Sequence, residues 1–330
     1  METRALGGTG LSVSRLGLGL AALGRPGYMN LGHGRELGAD TSVATMERRA
    51  HRVLDAAWTA GVRYLDVARS YGRGEEFVAS WLAARAVAPA ELVVGSKWGY
   101  TYTAGWKVEA PSHEVKDHSL ATFERQWRES RAVLGEHLDL YQIHSATLET
   151  GVLTDGAVLR ALAARRAEGV AIGLSVTGAN QGEVIRRALD VEVDGVRLFQ
   201  SVQASWNLLE TSAGAALAEA KSAGLGVIVK EGMANGRLAA RDDPSFAAQA
   251  ALLDRWCARL GCTRDALALA GVLAQPWVDV VLSGAASEAQ LASNLRALDV
   301  PWSDEVAGEL ATLAEEPARY WTTRAALPWN

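Results

Sequence analysis

The sequence predicts an α/β protein in which eight parallel strands close into a (β/α)8 barrel. Eight short runs of apolar or β-branched residues alternate with longer runs in which apolar residues recur at three- and four-residue steps, the spacing of amphipathic helices. Strands that alternate with helices are parallel, and eight such units fill one closed barrel. Helices are also expected to end at Gly61, Gly135, Gly169 and Gly224, where a left-handed cap belongs. This repeated junction favours one TIM-barrel domain over residues 1–330.

The predicted strands are short and apolar on both faces, as parallel strands covered by helices are. They span residues 16–20, 62–67, 92–97, 138–144, 171–176, 196–202, 226–230 and 278–283. The connecting helices are expected at residues 45–60, 75–86, 119–134, 155–168, 181–189, 213–223, 263–274 and 288–298.

Several pieces fall outside this repeat. Residues 3–15 contain a Gly-Gly turn and predict an N-terminal hairpin, whereas the glycine-rich residues 26–41 predict a long loop. Residues 246–260 and 302–315 have helical spacing and predict two extra helices. The aromatic residues 318–330 have no regular spacing and are expected to be irregular.

The composition argues against several classes of protein. The net charge is −5, and no basic patch predicts binding to nucleic acid or to an anionic membrane. No run of about 18 apolar residues predicts a transmembrane helix, and the first residues do not resemble a secretory signal. Cys257 and Cys262 have no histidine partners at metal-binding spacing. We therefore expect two packing cysteines, no metal site and a reducing, cytoplasmic setting.

Four ionisable side chains end or follow three successive predicted strands. Asp66 ends the second strand, Tyr71 follows it, Lys97 ends the third strand and His144 ends the fourth. Each alone has an ordinary structural explanation, namely a helix cap, a surface tyrosine, a lysine that extends to solvent and a hydrogen-bonded core histidine. The carboxyl ends of barrel strands share one rim, however, and that rim carries the active site. We therefore expect one site.

These residue types suit the reduction of a carbonyl group, which needs hydride on carbon and a proton on oxygen. A tyrosine has an ordinary pKa of about 10, and a neighbouring ammonium is expected to lower that pKa towards working pH. A carboxylate would hold the ammonium in place, and a histidine would orient the carbonyl oxygen. A metal-dependent hydrolase is disfavoured, because His144 alone of the six histidines ends a predicted strand.

The contexts of these residues, LDVARSYG, GSKWG and YQIHS, resemble the aldo-keto reductase superfamily, and the resemblance covers nearly the whole chain. It implies that Tyr71 is the general acid and that Lys97 modulates its pKa. It makes Asp66 the partner of Lys97, and His144 the group that orients the substrate. It also implies a nicotinamide cofactor and a small-molecule carbonyl or sugar substrate.

The resemblance extends to residues at the nicotinamide end of the cofactor. In VQASWNLLE it places Gln203 on the nicotinamide amide and Trp206 on the face of the ring, where the family usually has tyrosine. Ser175 is kept, but Val176 stands where the family usually has asparagine. That carboxamide contact is expected to be lost or to move to Thr177.

The rest of the cofactor is implied to lie on two later segments, KEGMANGRL and LSGAASEAQLASNL. The implied contacts are Gly232, Met233, Gly236 and Leu238 at the pyrophosphate, Gly284 and Ser287 at the ribose phosphate, and Gln290 and Asn294 at the adenine. Ala286 stands where many relatives have the arginine or lysine that binds the 2′-phosphate of NADP. We expect NADPH, with Arg237 or Arg296 supplying the charge, and NADH as the alternative.

Large aromatic residues predict a partly apolar substrate pocket. Trp98 and Trp106 follow the third strand, with Tyr100 between them, and Trp321 and Trp329 lie in the last segment. We expect Trp98, Trp106 and Trp321 to contact the substrate. A bulky or ring-shaped carbonyl compound, or a sugar stacked on tryptophan, would suit such a pocket.

Three functions stay open at this point: an NADPH-dependent carbonyl reductase, an NAD-dependent aldose dehydrogenase working in the oxidative direction, and a non-catalytic subunit that senses a nucleotide. Ala286 favours the second, and the complete set of four polar residues disfavours the third. GLGLAA at residues 17–22 formally matches a dinucleotide-binding fingerprint, but the proline and glycines that follow exclude the helix that a Rossmann fold needs there. The oligomeric state is also open.

Overall fold

The computed structural model describes residues 1–29, 31, 40–239 and 243–329, and it confirms the predicted barrel. Eight parallel strands close on themselves in chain order, and the last strand pairs with the first. They are β1 (Leu16–Gly19), β2 (Tyr64–Asp66), β3 (Val93–Trp98), β4 (Leu138–Ala146), β5 (Ala171–Val176), β6 (Ser201–Ser205), β7 (Gly226–Lys230) and β8 (Val280–Ser283).

Helices surround the strands, and the glycines expected at helix ends all have positive φ. In the described residues the helices are α1 (Val43–Thr59), α2 (Gly74–Arg85), α3 (Leu120–Leu134), α4 (Gly156–Ala167), α5 (Gln181–Leu189), α6 (Gly214–Ser222), α7 (Ala247–Leu260), α8 (Arg264–Leu273), α9 (Glu288–Leu295), α10 (Asp304–Leu310) and α11 (Pro317–Ala325). Over the part of the chain that the structure describes, none of them has the length and apolar character needed to cross a membrane.

The predicted N-terminal hairpin covers the amino-terminal end of the barrel. Thr3–Ala5 pairs antiparallel with Ser12–Ser14. Leu6, which is fully buried, packs against Gly226 at the start of β7. A Cβ atom at position 226 would lie 2.5 Å from the Cγ atom of Leu6, so only glycine fits there. The site must therefore lie at the opposite, carboxyl end of the strands.

The sixth strand begins later than predicted. The sequence suggested residues 196–202, but Val196–Arg197 pairs with Glu192–Val193 in a separate two-stranded hairpin. Asp194 and Gly195 form the tight turn between them, both at positive φ. The barrel strand β6 starts at Ser201, and this shift brings Ser205 to the rim.

Residues 318–330 were expected to be irregular, and that prediction is wrong because α11 occupies most of this segment. The side chain of Glu316 accepts hydrogen bonds from the backbone N–H groups of Ala318 and Arg319, and Pro317 occupies the first helical turn. Tyr320 is buried on its inner face. The described chain thus has three helices outside the repeat instead of the two expected.

Another hairpin that was not predicted from the sequence follows β3. Tyr100–Tyr102 pairs antiparallel with Glu114–Lys116 beside the rim of the barrel. The long loop predicted at residues 26–41 falls partly outside the described residues, at residue 30 and residues 32–39.

A buried carboxylate fixes the chain between β2 and α2. Glu75, in the first turn of α2, is 2% exposed and accepts hydrogen bonds from the hydroxyls of Ser96 (2.6 Å) and Ser130 (2.7 Å). It also pairs with Arg69. Arg69 lies in the loop between Asp66, at the end of β2, and Tyr71. One side chain therefore joins α2, β3, α3 and this loop.

We expect Glu75→Ala to lower the free energy of unfolding by about 3–5 kcal/mol, because removing one partner leaves buried polar groups unsatisfied. Urea unfolding followed by circular dichroism would measure this loss. The matched control is Glu76→Ala, at a half-exposed neighbouring position (52% of the side chain), where a change within about 0.5 kcal/mol is expected. Equal losses in the two variants would contradict the role given to Glu75.

Candidate active site

Asp66 and Lys97 form a buried ion pair at the carboxyl ends of β2 and β3. Their side chains are 2% and 0% exposed, and the lysine amine also donates to the carbonyl of Val67 at 2.9 Å. A charge buried without a partner would be very costly, so each residue makes burial of the other tolerable. Burial lowers the pKa of Lys97, while Asp66 acts in the opposite direction.

The second carboxylate oxygen of Asp66 is held from inside the barrel. The hydroxyl of Tyr64 donates to it at 3.2 Å, and the side-chain amide of Gln203 donates to it at 2.7 Å. The carboxylate is thereby fixed by groups from β2, β3 and β6. Its orientation in turn fixes the lysine amine.

Tyr71 lies above this pair, with its hydroxyl oxygen 3.5 Å from the amine of Lys97. Burial raises the pKa of Tyr71 well above its ordinary value, and the carboxylate of Asp66 adds to the rise. The lowering expected from Lys97 is outweighed here by burial and by Asp66, which also matches the lysine's charge. The phenol stays protonated near neutral pH, as a proton donor requires.

His144 completes the group that the sequence predicted. Its ring meets the ring of Tyr71 edge to face, with centroids 5.6 Å apart, and its Nδ1 atom lies 3.5 Å from the hydroxyl of Ser70. Burial, followed by the positive charge of Lys97, lowers the pKa of His144 well below its ordinary value. A neutral imidazole can donate one N–H hydrogen bond to an oxygen without itself bringing a charge.

These residues lie at the base of a cavity that opens to solvent at the carboxyl ends of the strands. Asp66, Tyr71 and His144 line it. Of the residues expected at the cofactor, those that also line it are Gln203, Gly232, Met233, Gly236 and Gly284. The structure thus brings the predicted catalytic residues and several of the predicted cofactor residues to one cavity.

Two tryptophans expected in this cavity lie elsewhere because of strand alternation. Successive side chains of a strand point to opposite faces. Trp98 follows the inward Lys97 and packs outward on Phe123, with ring centroids 5.0 Å apart. Trp206 follows Ser205 and packs outward on Trp277 at 5.6 Å. Neither lines the cavity, and the substrate contact expected of Trp98 and the ring stacking expected of Trp206 stay predictions.

The other two expected substrate residues also lie outside the cavity lining. The indole N–H of Trp106 donates to the carbonyl of Thr41 at 2.8 Å, and Trp321 packs edge to face on Tyr320. The aromatic residues that do line the cavity are Tyr28, Tyr71, Tyr100 and Trp329.

The remaining residues expected at the cofactor do not line the cavity and make contacts within the protein. The hydroxyl of Ser175 accepts from the N–H of Ser145 at 2.8 Å, and Ser287 caps α9. Gln290 accepts from the N–H of Ala286, Asn294 bonds with Ser283, and Leu238 is fully buried in an apolar cluster. Next to the departure at Val176, Thr177 does line the cavity, where the displaced amide contact was expected.

The expected replacements for a basic residue at position 286 are engaged elsewhere. Arg237 pairs with Glu315, with a shortest N–O distance of 2.5 Å, and Arg296 donates to the carbonyl of Gly261 at 3.0 Å. Neither lines the cavity.

Five charged residues that were not predicted from the sequence also form part of the cavity wall. Arg25, Glu114, Lys230, Glu231 and Arg324 all line the cavity. Lys230 ends the seventh strand just as Lys97 ends the third, so the same signal of a polar residue at a strand end could have identified it. Arg324 gave no such signal, because its position depends on α11.

The cavity fits an extended dinucleotide. The side-chain oxygen of Asn235, which lines it, is buried and has no hydrogen-bond partner in the described structure. Beside Gly284, a Cβ atom would meet nothing within 4 Å, so this end is open. A ligand reaching from Asp66 to Gly284 could donate a hydrogen bond to the side-chain oxygen of Asn235 and fill the open space beside Gly284.

Comparisons with known proteins agree with this geometry. Residues 15–315 match the model of the Aldo/keto reductase family. The chain is 31% identical to pyridoxal 4-dehydrogenase of Microbacterium luteolum over 219 residues, which are 57% of this chain, and it spans 58% of the length of that relative. It is 26% identical to the NADH-specific methylglyoxal reductase of Escherichia coli (strain K12), covering 96% of this chain and 99% of that protein.

Among solved structures, aldo-keto reductase AKR11C1 from Bacillus halodurans (holo form) superposes with a TM-score of 0.73 at 25% identity, covering 96% of this chain and 97% of that chain. Fold and sequence thus agree along nearly the whole length. This chain belongs to the aldo/keto reductase family of oxidoreductases.

Proposed function

We propose that this protein is an NAD(P)H-dependent oxidoreductase that interconverts a carbonyl group and an alcohol, with Tyr71 as general acid and base. The observation that carries the proposal is the buried group of Asp66, Lys97, Tyr71 and His144 at the floor of one cavity. A non-catalytic nucleotide sensor would need no buried lysine beneath a protonated tyrosine.

The proton is the part of the reaction that this chain supplies. Tyr71 holds it near neutral pH, because burial keeps the phenol neutral. His144, neutral as well, can donate a hydrogen bond to a substrate oxygen and so orient it towards the phenol. A nicotinamide cofactor, when bound, supplies or accepts the hydride.

Lys97 is proposed to act after the proton leaves. A phenolate formed at Tyr71 would face the lysine amine, which lies 3.5 Å from its oxygen and can donate to it. Asp66 holds the amine in this place, and Tyr64 and Gln203 hold Asp66. The lysine therefore stabilises the charge only once it develops, as electrostatic catalysis requires.

The cofactor is proposed to lie between Gln203 and the segment around Gly284. Gln203, Gly232, Gly236 and Asn235 would hold it in the cavity. The lack of a basic side chain at position 286, together with the engagement of Arg237 and Arg296, supports use of NADH as well as NADPH. The E. coli relative is named as NADH-specific.

The substrate is proposed to be an aldehyde, ketone or sugar with an apolar or ring-shaped face. Tyr28, Tyr100 and Trp329 line the cavity, and flat aromatic faces suit such groups. Two relatives are named for reactions on small carbonyl compounds, methylglyoxal and pyridoxal. The names include a reductase and a dehydrogenase, so both directions belong to the proposal.

Tyr71→Phe should reduce turnover by about 100-fold or more, because it removes only the proton donor. Dissociation constants for NADH and NADPH should change less than about threefold. Turnover with a panel of aldehydes and ketones, and calorimetric titration of nucleotide, would measure the two effects. Turnover above about a tenth of the wild-type value would overturn the role of Tyr71.

The control for this substitution is Tyr102→Phe. It removes a phenol oxygen from the hairpin that follows β3, at a residue that does not line the cavity. Turnover is expected to stay within about a factor of two, since the removed hydroxyl does not belong to the cavity. A large loss here would show that any disturbed tyrosine, and not the donor alone, lowers activity.

NADH should bind at least as tightly as NADPH, because Ala286 offers no charge to a 2′-phosphate and Arg237 and Arg296 are engaged elsewhere. Quenching of tryptophan fluorescence by each nucleotide would give both dissociation constants. Binding of NADPH more than about tenfold tighter than NADH would contradict this expectation, since tenfold is about 1.4 kcal/mol of selective contact.

A further inference from the structure

Lys230 is a charged side chain of the cavity that the proposed mechanism does not use. It ends β7, pairs in register with Ser205 of β6, and is 16% exposed. Its amine contacts the hydroxyl of Ser205 at 2.7 Å. The nearest carboxylate oxygen, on Glu231, lies 3.8 Å away.

That carboxylate is already matched by another cation. Arg324 of α11 donates to Glu231 through two guanidinium nitrogens, one of them at 2.9 Å. Arg324 and Lys230 hold the pKa of Glu231 well below its ordinary value against the effect of burial, so it is a carboxylate at neutral pH. Since Arg324 carries one charge and Glu231 one, the charge of Lys230 is left over.

The other charged groups around the cavity also occur in pairs. Lys97 pairs with Asp66, and Arg25 pairs with Glu114 at 2.9 Å. His144 stays neutral because its pKa is lowered well below its ordinary value. Among the described residues at this cavity, three carboxylates therefore face four cations: Asp66, Glu114 and Glu231 against Lys97, Arg25, Arg324 and Lys230. The described part of the cavity wall therefore carries a surplus of one positive charge.

This surplus acts on the reactive ring of a nicotinamide. In the proposed function, on which this inference rests, hydride reaches the carbon whose oxygen is protonated by Tyr71. The ring must therefore lie in this same cavity. The oxidised ring carries a positive charge and the reduced ring carries none. Both forms have the same phosphates, so any difference in their binding reports on the ring alone.

We propose that Lys230 determines which redox form of the nicotinamide this protein prefers, by weakening the binding of the oxidised form relative to the reduced form. Two unit charges about 7 Å apart, in surroundings with an effective dielectric constant of about 20, interact strongly enough to change a binding constant by more than tenfold. Solvent at the mouth of the cavity screens this, so we expect about tenfold. For a two-electron couple, tenfold corresponds to about 30 mV, with the reduction potential of the bound cofactor raised.

The effect should depend on pH. Burial lowers the pKa of Lys230 to about 8, although Glu231 raises it. The cation is therefore present below pH 8 and is lost above it, and the affinity for the oxidised form relative to the reduced form should rise through that range. The charged and titratable groups that face Lys230 are Glu231, Arg324, Lys97, Asp66 and His144.

The test compares NAD⁺ with NADH, and NADP⁺ with NADPH, by calorimetric titration of the full-length protein at pH 7. Lys230→Met removes the charge with little loss of side-chain length and should tighten binding of the oxidised form about tenfold relative to the reduced form. Lys230→Arg should keep the wild-type ratio. Lys107→Met, which removes the same charge from an exposed position, should also leave the ratio unchanged.

A titration of the wild-type protein at pH 7 and pH 9 gives a second readout that needs no substitution. The affinity for the oxidised form, relative to that for the reduced form, should be higher at pH 9 than at pH 7, and Lys230→Met should abolish this change in the ratio. Ratios in Lys230→Met within about twofold of wild type, or a wild-type ratio independent of pH, would overturn the role of Lys230 alone. Failure of all four nucleotides to bind would overturn the proposed function with it.

Discussion

The ion pair between Asp66 and Lys97 is the constraint on which the rest of the site depends. A lysine that is fully buried in a barrel needs a carboxylate beside it, and Asp66 needs further donors to stay fixed. The strands that carry the two residues are neighbours with residues 66 and 95 in register, so the barrel itself sets their spacing. Because the pair is neutral as a unit, Tyr71 above it remains a neutral phenol.

A second buried carboxylate keeps the chain around this pair in place. Glu75 links the loop between Asp66 and Tyr71 to β3 and α3 through Arg69, Ser96 and Ser130. It lies in the first turn of α2, where the positive end of the helix favours a negative charge. The tyrosine is thus positioned by contacts that never reach the cavity.

Much of this arrangement follows from local patterns. Period-two alternation assigns Lys97 inward and Trp98 outward, so the outward position of Trp98 could have been predicted from the sequence. The turn at Asp194 and Gly195 and the helix start at Glu316 and Pro317 are likewise readable signals. Other contacts are not local. Arg324 meets Glu231 across 93 residues, and no spacing in the sequence predicts that pair.

The sequence by itself determined the eight-strand barrel and the four polar residues on its rim, because periodicity and position at strand ends are local properties of the chain. Only the tertiary structure decided which charges are matched and which one is surplus. Charge balance in a cavity depends on side chains from strands, a hairpin and the last helix meeting at one place, as Arg25, Glu114, Lys230 and Arg324 do. Their mutual distances are set by packing of the whole molecule, and a single sequence does not encode them in any short pattern.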